Sequence, residues 1–389
     1  MIKPTDSCTG CLACCQSCPT KCISAKTSEE GFLYPEVDID RCIKCGKCEK
    51  SCPLDKTSPS RQSPSAFAAA SYDDSTRTVS SSGGVFSLIA EKIISKGGYV
   101  FGAAFDKDFS VIHKSVSDIE NLADLRGSKY LQSNISNTFS EAKSLLDSGK
   151  PVLFSGTPCQ IAGLRSFLGR EYDNLICQDI ICHSVPSPKV WKHYLSLLTR
   201  GEKPIAVHFR DKSEDWENYT LTVTTESGKT IRSPGKTDPY IRAFISGLES
   251  RKSCSSCRFR RGKSGIDITL ADCWGVKRFS PESYDKNGVS LVFVNSEKGR
   301  KIFGSISDNC RIKAVDYIAA TEANPAALYP SEAHRKRNRI LRESVKTETP
   351  EEFMKLYSAC IKTGFCDRVL NFLSRAKRKI KRTIHSSRT

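Results

Sequence analysis

The sequence predicts a mixed α/β protein in two unequal parts, a short cysteine-rich head and a far larger body. Three observations predict it. Two identical cysteine runs open the chain, Cys8, Cys11, Cys14 and Cys18 before Pro19, and Cys42, Cys45, Cys48 and Cys52 before Pro53. A proline- and serine-rich stretch at residues 58–65 follows and reads as a linker. Beyond it, strand-like and helix-like segments alternate for most of the remaining chain.

Each run has the spacing C-x2-C-x2-C-x3-C. This is the ligand pattern of a two-cluster ferredoxin, in which three cysteines of one run share a cubane with the fourth of the other. Cys8, Cys11, Cys14 and Cys52 are therefore expected to hold one 4Fe-4S cluster, and Cys42, Cys45, Cys48 and Cys18 the second. Structural zinc usually takes two separated C-x2-C knuckles, and a disulfide framework needs a secretory setting that the opening MIKPTDSC does not suggest. Cys15 and Cys22 fall outside the repeat and read as small packing residues. Between the runs, GFLYPEVDIDR at residues 31–41 has the alternation of a short strand.

The 389-residue chain leaves ample length after a head at residues 1–57 for one large or two ordinary domains. Hydrophobic residues make up 38%, and no apolar run approaches the ~20 residues of a bilayer span, so the sequence reads as cytoplasmic. A formal charge of +17 would ordinarily suggest nucleic acid, yet the sum counts every cysteine as neutral. Each cubane with its four thiolates would contribute about −2.

In the body, Ala66–Ala70, Tyr99–Phe105, Pro151–Ser155 and Leu175–Cys182 read as strands, and Val85–Ile94, Asn134–Ser148 and Ile161–Leu168 as helices. Two junctions suit an anionic ligand. Ser80, Ser81, Ser82, Gly83 and Gly84 gather small side chains and free N–H groups just before the first helix. The second, VLFSGTPCQ at residues 152–160, is a buried strand that breaks at glycine and enters a helix, where ligands of α/β sheets commonly sit.

SSGGVFSLIAEKIISKGGYVFGAAFD, GSKYLQS at residues 127–133, VLFSGTPCQIAGLRSFL and ICHSVPSP at residues 181–188 resemble the coenzyme F-420 hydrogenase/dehydrogenase beta-subunit family, in the subgroup with an N-terminal ferredoxin domain. The resemblance spans about residues 1–327 and implies a FAD-binding body at 66–327, leaving a basic helical tail at 328–389. It further implies a third 4Fe-4S cluster, for which Cys159, Cys182, Cys254 and Cys257 are the candidate ligands, although Cys254 and Cys257 alone would also fit a zinc knuckle. Cys177, Cys273, Cys310, Cys360 and Cys366 are assigned to packing.

By the same resemblance, Ser82, Gly83, Gly84, Ser128 and Lys129 would bind the flavin, with Gly156 and Thr157 beside it. Lys129 and His183 are the catalytic candidates, the first as a cation near the reduced flavin and the second as a proton relay. The family string commonly has glycine where this chain has Ser184. Asp267 and Asp272 read as turn caps. The tail strings HRKRNR at 334–339 and RAKRKIKR at 375–382 read first as a solvated helical face, with an anionic membrane surface or an acidic partner as the other use.

The expectation is an iron-sulfur flavoprotein oxidoreductase acting on a small-molecule redox substrate, the deazaflavin coenzyme or another organic molecule, with ferredoxin or another acidic protein as an electron partner. The alternatives are an electron-transfer subunit without a substrate of its own and a zinc-containing nucleic-acid-binding protein. The basic tail has no interleaved aromatics, which argues against stacking on single strands.

Overall fold

The computed structural model describes residue 2 and residues 4–56, 64–331 and 336–361. Most of the 58–65 linker, the start of HRKRNR, Cys366 and the RAKRKIKR string lie outside the described residues. Among the described residues no helix is long and apolar enough to cross a membrane.

The head contains a short helix, Ala13–Ser17, and an antiparallel hairpin of β1 (Ile23–Thr27) and β2 (Leu33–Val37). The body is organised on one nine-stranded mixed sheet. Its members are β3 (Ser65–Ser71), β4 (Tyr99–Phe105), β5 (Val111–Val116), β6 (Ser133–Asn134), β7 (Val152–Gly156), β8 (Leu175–Ile180), β12 (Ile268–Asp272), β13 (Ser290–Val294) and β14 (Cys310–Ala314). A separate three-stranded sheet comprises β9 (Pro204–Asp211), β10 (Thr220–Thr225) and β11 (Thr230–Pro234). The fold is thus mixed α/β, with a ferredoxin-like head on a larger body.

The large sheet runs β14-β3-β13-β12-β8-β7-β4-β5-β6. β12, β8, β7 and β4 are mutually parallel neighbours, so their carboxyl ends open on one edge. β3 joins them through antiparallel β13, which brings its own carboxyl end, Ser71, to the same edge. That edge is where a parallel α/β sheet offers its ligand crevice.

The periodic segments form as their patterns require. The Val85–Ile94 helix buries Val85, Leu88, Ile89 and Ile93 against β3 and β4, and Pro158–Leu168 buries Ile161, Leu164 and Leu168 beneath β7. Helix Thr138–Asp147 is shorter than the 134–148 expectation, because Ser133–Asn134 is spent pairing with β5. Strand β3 begins at Ser65, the last residue assigned to the linker. The helices Arg337–Glu343 and Pro350–Ile361 place Ile340, Leu341, Phe353 and Tyr357 in the core that holds Trp191 and Tyr240. Arg337 departs from the expected solvated face: it is buried, and its guanidinium meets the Glu30 carboxylate of the head at 2.7 Å. A buried arginine needs such a partner to offset its desolvation.

Candidate functional site

A cavity of about 910 Å³ lies along the carboxyl edge of the sheet, within the usual range for cofactor and small-molecule sites. Its lining joins Ser80–Ser82 and Gly84, the 125–133 segment, Ser155–Thr157, Cys159, and residues 180–186. The two sequence junctions expected to suit an anion therefore open into one chamber.

At one end, Ser71 N–H donates to the Gly83 carbonyl at 2.7 Å, and Gly83 N–H donates to Ser290 Oγ at 3.0 Å. A Cβ on Gly83 would lie 2.3 Å from the Ala69 carbonyl, so only glycine fits between β3 and β13. Gly83 is thus a packing residue behind the cavity, whereas Ser82 and Gly84 face it. Lys212 braces the loop by donating to the carbonyls of Arg77, Ser82 and Asn287 at 2.6–3.1 Å. Ser81 and Ser128 hydroxyls meet at 2.8 Å across the chamber mouth. Arg126 lines it too, held by Ser87 Oγ at 2.9 Å and by Glu91 at 3.3 Å.

Lys129 stands beside this loop, donating to the Arg126 and Gly127 carbonyls at 2.8 and 3.3 Å and lying 5.7 Å from the centre of the Phe105 ring. Burial pulls its ammonium down to about 7, against a weaker opposite pull from Asp124. The cradle of small residues with Arg126 and Lys129 fits the pyrophosphate of a dinucleotide such as FAD. Gly156 and Thr157 line the chamber farther along, with Thr157 closing a capping box with Gln160 at the start of its helix.

Sequence reasoning missed His113. It is buried on the cavity wall, with Nε2 donating to the Ser155 carbonyl at 3.1 Å and Nδ1 accepting from Ser133 Oγ at 2.6 Å. Burial drives its pKa down to about 4, which keeps the ring neutral. The signal was a polar residue on the apolar face of the alternation VIHKSV. Arg210 was missed as well; it forms a buried pair with Asp272 at 2.7 Å and lies 4.0 Å over the Tyr219 ring. The expected turn-capping role of Asp272 is replaced by this pair and by a 2.9 Å bond from Trp216 Nε1. Asp267 likewise caps no turn of its own and receives the Cys177 N–H at 2.8 Å between strands.

At the other end stand four thiols. Cys159 is on the first turn of the Pro158–Leu168 helix, Cys182 follows β8, and Cys254 and Cys257 flank a short turn. Burial pushes Cys159 up to about 12 with contributions from Cys257 and Cys254, and raises Cys182 with contributions from Cys254, Cys159 and Cys257. The four thus share one electrostatic patch. His183 lies next to them, donating to the Ile245 carbonyl at 2.8 Å, its pKa lowered by burial. Ser184, at the position commonly glycine, is buried and accepts a 2.7 Å bond from Ser250.

The head supplies two further sets. Cys11 is raised to about 12 by burial, with contributions from Cys14, Cys8 and Cys52, the grouping expected from the crossed ligand pattern. Cys18, Cys42 and Cys48 gather in a separate small cluster with Cys22, whose sulfur is 3.3 Å from that of Cys18. Among the described residues no three Cys, His, Asp or Glu side chains close on a single metal ion. A cubane is gripped from its outer corners, so thiols set around a larger body fit it. Cys177, Cys273, Cys310 and Cys360 are buried in cores, as packing requires. The head docks through Cys11: a Cβ on Gly163 would lie 2.8 Å from Cys11 Cβ, so the helix bearing Cys159 approaches this ligand directly.

Comparison with known proteins follows the same division. Residues 7–56 match the 4Fe-4S dicluster domain, so the chain is of the iron-sulfur, electron-transfer class. Over residues 149–319 it belongs to the family described as the C-terminal part of the coenzyme F420 hydrogenase/dehydrogenase beta subunit. Two curated relatives match the head. One is NADH-quinone oxidoreductase subunit I 2 of Geobacter metallireducens, 42% identical over 53 residues, covering 12% of this chain and 40% of that protein. The other is Ferredoxin-1 of Caulobacter vibrioides, 37% identical over 57 residues, covering 14% of this chain and 46% of that one. The chain thus spans less than half the length of either relative. Among solved structures, a chain of the F420-reducing NiFe hydrogenase complex from Methanosarcina barkeri aligns at 17% identity and a TM-score of 0.46, over 70% of this chain and 91% of that one.

Proposed function

We propose that the chain is an iron-sulfur flavoprotein oxidoreductase in which a ferredoxin head at 1–57 serves a flavin chamber in the body at 66–327. The observation that carries this reading is the chamber itself, with an anion cradle at one end, four thiols at the other, and Cys11 of the head against the same helix as Cys159. Bound clusters would supply single-electron transfer, and a bound flavin would convert single electrons into the two-electron chemistry of an organic substrate.

The chain's own residues have the following roles in this reading. The two head sets and the set Cys159, Cys182, Cys254 and Cys257 hold iron as thiolates. Ser82, Gly84, Arg126, Ser128 and Lys129 hold the pyrophosphate, and Gly83 keeps β3 and β13 close enough to shape the loop. Lys129 gains a proton when an anion arrives, since its pKa of about 7 lies at the edge of protonation. His113 and His183 stay neutral and donate to fixed carbonyls, shaping the walls. Phe244 and Tyr130, stacked with centroids 4.6 Å apart, exclude water between the two ends.

Anaerobic purification with iron and flavin determination tests this reading. The expected preparation is brown, absorbs near roughly 400 nm, and contains about twelve irons with one flavin per chain. A colourless, zinc-loaded protein would sink it. The second reading, a subunit that feeds a partner without a substrate of its own, is favoured by the apolar Ile39 and Ile43 exposed near the outer cluster set. Steady-state turnover of a small molecule by the isolated chain would count against that alternative.

A further inference from the structure

Arg251 is among the largest fully buried side chains, although it carries a permanent charge and sits three residues before Cys254. Its Nε donates to the Cys8 carbonyl at 2.8 Å, while Nη1 and Nη2 have no hydrogen-bond partner among the described residues. No carboxylate is paired with it among those residues. Its guanidinium is stacked 3.9 Å from the centre of the Tyr34 ring and 5.5 Å from that of Phe32, both on the head. A Cβ on Gly10 would lie 2.9 Å from Nη1, so the cation fills the seam between the first cysteine run and the body.

An unpaired buried cation is costly unless it answers a negative charge. The charge faces two thiol sets at once. It pulls down Cys8, which burial otherwise raises, and it also pulls down Cys254, which burial raises to about 11. The outer set has no such neighbour: Arg251 is among the influences on no thiol of Cys18, Cys42, Cys45 or Cys48 for which a shift is resolved. Thiolate-bound clusters are the anions that would balance a cation in this seam.

We infer that Arg251 is a positioning residue for electron transfer, a fixed cation that raises the reduction potential of the inner head cluster above that of the outer one and so draws electrons inward. The inference rests on the proposed cluster occupancy. The step is a one-electron exchange: the outer cluster is oxidised by one electron, the inner one is reduced by one, and no proton or bond is involved. Reduction takes a cubane with four thiolates from about −2 to −3, and the added charge is what a nearby cation stabilises. The potential of such clusters responds to local charge, hydrogen bonding and exposure.

The test is an EPR-monitored redox titration of the full chain, with sodium dithionite as reductant, on the native protein, Arg251→Lys and Arg251→Gln. Cys45→Ser assigns the outer signal. The charge-removing Gln variant is expected to lower the inner midpoint by at least a tenfold change in reduced-to-oxidised ratio, about 59 mV for one electron, while the outer midpoint stays fixed. The Lys variant should hold the native value. Fully loaded clusters with an unmoved inner midpoint in Arg251→Gln would overturn the role of Arg251. If that variant fails to hold iron, the native order decides, because an outer cluster that reduces before the inner one overturns the inference. Absence of cluster signals from the native protein would instead overturn the occupancy on which it rests.

Discussion

The two halves of the head use one ligand pattern in two surroundings. The inner half buries Cys11 and Cys14, presses against Gly163 and faces Arg251, whereas the outer half leaves Cys45 exposed with Ile39 and Ile43 uncovered at 65% and 63%. The repeat therefore specifies what is bound, and the packing around each copy specifies what it does. The inner copy is a relay into the body, and the outer copy is a port to solution.

The sharpest way to break that contrast is to remove what the relay would feed. Replacing Cys254 and Cys257 by serine is expected to take away about four irons per chain and leave both head clusters, as iron analysis and EPR would register. Unchanged iron content would remove the third set from the path. A second break acts on packing. Gly163→Ala puts a methyl 2.8–2.9 Å from Cys11 and should destabilise the docked head by about 1–3 kcal/mol, read as a lowered thermal midpoint and faster proteolysis near the head.

A gentler change sharpens the far end of the chamber. Lys129 is lowered in the folded protein and neutral in growing proportion above about 7, so FAD binding should take up protons and weaken as pH rises through neutrality. The same shift means that folding stability attributable to Lys129 rises with pH from about 7 toward its unfolded value near ~10.4. Calorimetry in two buffers of different ionisation enthalpy would register the proton uptake, and Lys129→Met should abolish it. Equal uptake in that variant would transfer the role to another group.

The smallest expected effect lies at the port. Ile39→Ser with Ile43→Ser should change stability within about ±0.5 kcal/mol and leave iron content intact, while slowing reduction by an acidic redox protein. Stopped-flow rates unchanged by the pair would place the port elsewhere.

What was legible in the sequence was whatever repeats or alternates. The cysteine runs, the Val85–Ile94 helix and Tyr99–Phe105 carry their periods in the open, and they form within the expected limits. Ser82, Gly84 and Lys129 were legible as cavity residues because a helix entrance has a local signature. His113, Arg210 and Arg251 were not, since each owes its role to partners 20 to 243 positions away that no local pattern names. The described part of the C-terminal region was misleading for a related reason: the charge of Arg337 suggests solvent, and only Glu30 in the head explains its burial.

Strand β3 sets a timetable for the birth of this chain. It lies between β13 and β14, with Ala69 opposite Ser290 and Ile312, so about 220 residues must be made before its first partner exists. At roughly 5–20 residues per second, that is a wait of about 10–45 s on the ribosome. The hairpin of β1 and β2 closes locally within the first 37 residues. The head can therefore reach its own fold while the alanine-rich strand SAFAAAS still has its edges open, and it is this late closure that exposes the nascent body to mispairing.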